Sequence, residues 1–202
     1  MNTRHLLLAA LALAGCKDKT LRVPCASSQA ARLEIRDSSG ALELALKDGA
    51  RPGASDLCDA SAQRVGGLVH EGQVLTLFDR KDGLVLRLRQ GGPDDFSGEG
   101  PKGPRLRVHR DRQEVRVVSP DGIPFGSVVT SDTGVLIYNK ASAPIASVEK
   151  RDEDLVVKTT DGAVTTYLVP SASPGAAGML AVEGLPLPER LALYVLFSQN
   201  AR

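Results

Sequence analysis

Pro188-Glu189-Arg190-Leu191-Ala192-Leu193-Tyr194-Val195-Leu196-Phe197-Ser198 is the most strongly apolar run near the carboxyl end and reads as a helix. Pro188 suits the first helical position, Glu189 complements the positive end of a helix, and the residues that follow are good or acceptable helix formers. From Leu191 to Phe197 the run is apolar without a break. It therefore covers every side of a helix, and such a helix lies either inside a protein or inside a membrane. The run is far short of the roughly 20 residues that cross a bilayer, which predicts a buried helix. A strand in a sheet core is the alternative that periodicity leaves open.

Upstream of Pro170 the chain reads as short β-segments with alternating or fully apolar patterns, each ended by Gly, Asp, Ser or Pro. Twelve are legible, at 32–37, 41–47, 64–70, 73–79, 84–90, 105–110, 113–118, 124–130, 134–139, 143–149, 154–159 and 163–169. Ser39-Gly40, Asp48-Gly49, Asp82-Gly83, Asp121-Gly122 and Asp161-Gly162 offer the positive φ of tight hairpins, so sequence neighbours are expected to pair antiparallel. The Asp-Gly pairs at 82, 121 and 161 are spaced 39 and 40 residues apart, which hints at a degenerate repeat of hairpins. Three such units are too few for a propeller, and the chain has no Trp. Gly91 to Pro104, rich in Gly, Pro and Asp, reads as a long exposed loop.

A sandwich buries its two sheets against each other and leaves no place for a wholly apolar helix. A barrel built around the helix satisfies both. The expected fold is mainly β, an antiparallel barrel of about twelve short strands with a buried C-terminal helix. Local text agrees: Asp121-Gly122-Ile123-Pro124-Phe125-Gly126-Ser127-Val128, then Ala143-Pro144-Ile145-Ala146-Ser147-Val148, then Asp161-Gly162, each a turn followed by a small-residue strand. This pattern resembles the tubby-like superfamily, which includes the phospholipid scramblases and the LURP-one-related proteins, and the resemblance implies a twelve-stranded barrel enclosing a C-terminal helix. It covers most of residues 32–198, by short, turn-driven motifs. No Cys-rich palmitoylation run, calcium-binding motif or phosphoinositide signature accompanies it, so the resemblance brings neither scramblase activity nor phosphoinositide binding.

The amino-terminal end carries an address. Arg4 and His5, an apolar stretch from Leu6 to Leu13, and small residues before Cys16 have the three parts of a secretory signal. Leu13-Ala14-Gly15-Cys16 resembles a bacterial lipobox, which implies diacylglycerol attachment to the Cys16 thiol; a plain signal with an incidental cysteine is the alternative. The expected organisation is a signal peptide over 1–15, a lipidated tether over 16–31, and one β-barrel-like domain over 32–202. Membrane attachment then runs through the lipid on Cys16, at the periplasmic face or the outer membrane of a bacterial envelope. Lys17, where such lipoproteins can carry Asp, permits outer-membrane sorting. The remaining cysteines, Cys25 and Cys58, are an even pair in an oxidising compartment and predict a disulfide, with two buried thiols as the alternative.

Charge excludes more than it suggests. With 25 basic and 24 acidic residues there is no global field to attract nucleic acid. Four Phe, three Tyr and no Trp leave little aromatic surface for stacking bases or sugars. No nucleophile motif, zinc motif or phosphate-cradling Gly-rich loop occurs, so the reading is non-enzymatic, with no cofactor and no metal. His70, beside Glu71, and His109, between arginines, read as exposed histidines. Asp94, Asp95 and Glu99 lack the spacing of a calcium loop. A cleft gathering either histidine with a carboxylate would favour an enzyme instead, and a hollow barrel would favour a lipid handler. The best surface candidate is basic. Arg87 and Arg89 alternate with Leu86 and Leu88, and Arg105 and Arg107 alternate with Leu106 and Val108, so each pair shares one strand face. If those strands pair across the Gly-rich segment, four arginines cluster and could hold phosphate or carboxylate groups bidentately. The alternative is a solvated exterior with these arginines paired to Glu114, Asp94 and Asp95. The expected role is a non-catalytic binding or structural module with an envelope protein or anionic ligand as partner.

Overall fold

The computed structural model describes residues 24–25, 31–37, 39–151, 154–160, 164–168 and 174–199; the lipobox with Cys16 and the Asp161-Gly162 turn lie outside them. Among the described residues fourteen strands are present: β1 (Ala31–Arg36), β2 (Leu42–Asp48), β3 (Ala54–Asp59), β4 (Arg64–Glu71), β5 (Val74–Asp79), β6 (Leu84–Gln90), β7 (Asp95–Gly100), β8 (Gly103–Arg110), β9 (Glu114–Val118), β10 (Pro124–Ser131), β11 (Gly134–Asn139), β12 (Pro144–Arg151), β13 (Asp154–Thr159) and β14 (Val164–Leu168). Each pairs antiparallel with its sequence neighbours, and β14 returns to β1 through a short seam, Glu34, Ile35 and Arg36 opposite Leu168, Tyr167 and Thr166. The expected antiparallel barrel is therefore present, closed, with two more strands than the expected twelve.

One of the two is β7, and it corrects the reading of Gly91–Pro104 as a loop. Asp95-Phe96-Ser97-Gly98-Glu99-Gly100 keeps period 2, with Phe96 and Gly98 buried and Asp95, Ser97 and Glu99 exposed. Its inward position is glycine because a Cβ on Gly98 would stand 2.8 Å from the Leu106 side chain and 3.1 Å from that of Leu86. The other is β3, whose Ala, Ser and Asp conceal its inward Leu57.

The hairpins obey a 20-residue rule that the Asp-Gly pairs only hint at. Asp59, Asp79 and Asn139 each accept two backbone N–H groups from the turn that follows, and the Ser119 hydroxyl accepts one. Three residues on, Ala62, Asp82, Gly122 and Ser142 all have positive φ, between 55° and 81°. This is a three-residue hairpin loop, a type I turn followed by a left-handed residue. In the second of these turns the left-handed position is Asp82, not the expected Gly83. Gly83 is small for another reason: a Cβ there would lie 2.9 Å from the Asp79 carboxylate that caps the turn. Just beyond each turn the ladder skips one residue, at Val65, Val85, Arg105, Phe125 and Ile145. Such bulges bend and twist the sheet, and five at equal spacing curl the meander toward closure.

Two helical segments fill the interior. The chain enters past Thr130 with α1 (Pro174–Gly178) and a single 3-10 turn, Met179–Ala181, reverses near Phe125, and returns as α2 (Leu187–Gln199). Leu191, Ala192 and Leu193 are buried to within 1% of full enclosure, Tyr194, Leu196 and Phe197 almost as completely. The expected buried helix is thus present, starting one residue before Pro188, and it belongs to a helical hairpin rather than standing alone. Phe197 meets Phe96 of β7 edge to face, with ring centroids 5.4 Å apart. Close approach of α1 to the wall requires Gly178, where a Cβ would stand 2.6 Å from Val128.

Cys25 and Cys58 form the expected disulfide, with Cα atoms 6.1 Å apart. The Cys25 amide donates to the Ala62 carbonyl, and Pro24 bridges Gln63, so the amino-terminal arm lies along the β3–β4 turn. The arm meets the barrel at Cys25, ahead of the expected domain start at 32.

Two outcomes test this account. Leu193→Asp places an uncompensated charge inside the barrel at a cost of several kcal/mol, and circular dichroism should show the variant unfolded; a folded, soluble variant would remove α2 from the core. Ala62→Gly and Ser142→Gly should each raise stability by about 0.5 kcal/mol, since relief of roughly 1–2 kcal/mol of left-handed strain outweighs the roughly 0.5–1 kcal/mol entropy cost of glycine. Urea midpoints measure both.

Candidate functional site

The four arginines do not form the predicted cluster. β7 lies between β6 and β8, with Arg87 opposite Glu99, and Ser97 flanked by Arg89 on one side and Arg107 on the other. At strand spacings of about 4.8 Å, Arg89 and Arg107 sit roughly 10 Å apart with a serine between them. Arg87, Arg89 and Arg107 share the outer face, because Leu86, Leu88, Leu106 and Val108 take the inner one. None of the three side chains makes an ion pair or hydrogen bond with another described residue.

Arg105 belongs elsewhere. It is the bulged residue of the β7–β8 hairpin, in a series whose other members are Val65, Val85, Phe125 and Ile145, all packed on the core. Displaced from the strand alternation, it reaches the barrel rim, where its guanidinium lies 3.5 Å from the Glu189 carboxylate and 5.7 Å from the centre of the Phe125 ring. Glu189 is 6% exposed, in the first turn of α2, and its second oxygen has no partner. Arg105 is therefore a clamp on the helical hairpin and leaves the anion-binding set.

The carboxylates expected to neutralise the arginines have other partners. Asp95 accepts from Nδ1 of His109 at 2.7 Å, Asp94 from Arg110 at 3.2 Å, and Glu114 pairs with Arg116 at 2.6 Å. The hydrogen bond to Asp95 raises the His109 pKa above the ordinary imidazole value, with the charges of Asp95, Asp111 and Asp94 adding to it. The hydrogen bond from Arg116, helped by one from Ser127, holds Glu114 below the usual carboxylate range. Ser97, Arg107, His109 and Arg116 line an open groove of about 480 Å³ over β7, β8 and β9, with Val118 at its floor. A second hollow, about 630 Å³, lies where α1 enters, at the rim opposite Arg105, bordered by Thr130, Asp132, Lys150 and Gly175. It gathers hydroxyls and opposed charges without a shared orientation.

His70 stands on β4, with three strands between it and β8, which carries His109, so the two histidines are not brought together. Among the described residues no three His, Cys, Asp or Glu side chains converge in a way that could hold a metal ion. Asp94, Asp95 and Glu99 likewise do not converge: the first two face Arg110 and His109, the third faces Arg87. Ser97 was invisible as a site residue because its strand, β7, is hidden in a Gly-rich segment, while Arg116 faces His109 across the β8–β9 pair.

No protein-family model matches the sequence, and no curated protein matches it. Among solved structures, an X-ray structure of a protein from Arabidopsis thaliana is similar over 80% of this chain and 93% of its own length, at 14% identity and a TM-score of 0.39.

Removing Arg105 separates its role from the groove. Arg105→Ala should lower stability by about 1–3 kcal/mol by leaving the buried Glu189 carboxylate uncompensated, and adding Glu189→Leu should recover most of the loss. Chemical denaturation of the single and double variants decides, and an undiminished midpoint for Arg105→Ala would return this residue to the surface set.

Proposed function

We propose that this chain is a lipid-anchored bacterial envelope protein whose barrel is a non-catalytic binding or structural module and that its outer wall is where partners are met. The observation that carries this reading is the filled interior: Leu191, Leu193 and Phe197, with Met179 and Leu180, occupy the space that a lipid handler would leave open. Binding is left to the exterior, where unpaired arginines and a groove coincide on β6–β9. A barrel closed around a C-terminal helix also agrees with tubby-like membership, which forms part of the proposal; the fourteen strands and the second helical segment depart from that pattern.

Anchoring rests on Leu13-Ala14-Gly15-Cys16. A single acyl chain holds a protein weakly, while two or more hold it stably, so a diacylglyceryl cysteine suffices without a membrane-spanning segment. Among the described residues no helix is long and apolar enough to cross a bilayer. The disulfide gives the tether a fixed exit, nine residues after Cys16, beside the β3–β4 turn.

An enzyme has one observation in its favour: His109 meets the Asp95 carboxylate at the edge of the groove. Both side chains are about two-thirds exposed, and among the described residues no nucleophile is hydrogen-bonded to the imidazole. A carboxylate–histidine pair works as a base when it faces a bound nucleophile in a site that excludes water. Turnover of an ester or phosphate substrate that disappears in His109→Gln would favour this reading over the binding module.

Cys16→Ser should move the protein from the membrane to the soluble fraction of a bacterial lysate. Membrane association of that variant persisting in high salt would overturn lipid anchoring.

A further inference from the structure

We propose that the groove over β7–β9 is a binding site for a tetrahedral oxyanion, a phosphate or sulfate ester group, held between the Arg107 guanidinium and the Ser97 hydroxyl with His109 as a third donor. The inference rests on the outer wall being the binding surface and names the ligand that it takes; it does not depend on the lipid anchor. Ser97 and Arg107 are directly opposed in the β7–β8 register, which places their Cβ atoms about 5 Å apart on the same face. Both are exposed and neither side chain has a partner among the described residues. A guanidinium fork and a hydroxyl aimed into one concavity are an incomplete hydrogen-bond set, and an oxyanion completes it.

Neighbouring charges set the sign. Arg116 is matched by Glu114, and His109 is matched by Asp95 when the imidazole is protonated. Arg110 is matched by Asp94, and Asp111, beyond the end of β8, faces the imidazole from the β8–β9 turn. Arg107 is then the cation in surplus, with Arg89 behind Ser97 as a second. Donors that approach from β7, from β8 and from the ring of His109 suit the four oxygens of a tetrahedral group better than a planar carboxylate, which one guanidinium satisfies alone. His109 couples the site to pH. Its pKa is raised, chiefly by the hydrogen bond to Asp95, so the imidazolium persists to higher pH than an ordinary imidazole's and is lost as pH rises through the raised value. Deprotonation uncovers the Asp95 charge beside the ligand, and affinity falls.

Inorganic sulfate is the first probe, because its charge is constant over the range used and any pH dependence belongs to the protein. The full chain, in a maltoside detergent at fixed ionic strength, is titrated at about pH 6 and about pH 8.5 while the His109 imidazole and Arg107 guanidinium signals are followed by NMR. Saturable shifts are expected, with an affinity on the order of millimolar that weakens at the higher pH. Arg107→Gln should weaken it about tenfold or more, Arg87→Gln, on the same face but outside the groove, less than about twofold, and His109→Gln should abolish the pH dependence. Shifts that grow linearly without saturation, or equal weakening by Arg107→Gln and Arg87→Gln, would overturn the site in favour of diffuse charge. A second arm distinguishes the source of the ester: the Cys16→Ser chain is sedimented with phosphatidylcholine vesicles containing phosphatidic acid. Co-sedimentation lost in Arg107→Gln assigns the group to a lipid headgroup, and sulfate saturation without co-sedimentation assigns it to a soluble or glycan-borne ester. Sulfate binding that survives while Cys16→Ser leaves the protein on membranes would retain this site and discard the anchor.

Discussion

A helix that is apolar on every side has no stable position in water, and most of this structure is an answer to that constraint. The wall of β-strands surrounds α2 with leucine, valine and isoleucine side chains, and the preceding helical turns close the remaining side. Sheet and helix are each incomplete without the other. An empty fourteen-stranded barrel would leave an apolar cavity far wider than side chains from the wall can fill, and barrels of such size elsewhere hold water, a ligand or a plug. Here the chain supplies its own plug, and that choice removes the interior from any binding role.

The wall obeys a second constraint, that a flat sheet cannot close. Curvature enters through a bulge in every second hairpin, at 20-residue spacing, each leaving one extra residue outside the ladder. Four of the five are apolar and pack against the core. Arg105 is the exception, and its partner is Glu189 at the first turn of α2. A buried carboxylate at a helix N-terminus is favoured by the helix dipole but still requires a counter-charge when water is excluded. The repeat thus supplies a position, and one substitution within it adapts that position to an ion pair.

Fold class was legible because its signals are redundant: seven apolar residues in a row at the C-terminal helix, period-2 strands, and turn residues between them. The failures have physical causes. β7 carries Gly98 where two leucines from neighbouring strands already fill the space, so its inward pattern lacks the apolar side chains by which strands are recognised. The hairpin period was hidden because Asp, Ser and Asn all cap the same turn, and Ala, Asp, Gly and Ser all occupy its left-handed position. Arg107 was identifiable from strand alternation alone. Ser97 could be placed beside it only once β7 was known to be a strand, whereas His109 and Arg116 lie on β8 and β9, which were expected; the bulge that removes Arg105 from the group leaves no mark in residue type.

The meander topology fixes an order of events. Every strand neighbours the next in sequence, so hairpins can form as the chain emerges, with only local loops to close. The seam between β1 and β14 and the apolar helices come last in the chain, and until α2 arrives the inner wall has nothing to bury itself against. Assembly of this barrel therefore has a late, concerted step in which closure and core formation coincide.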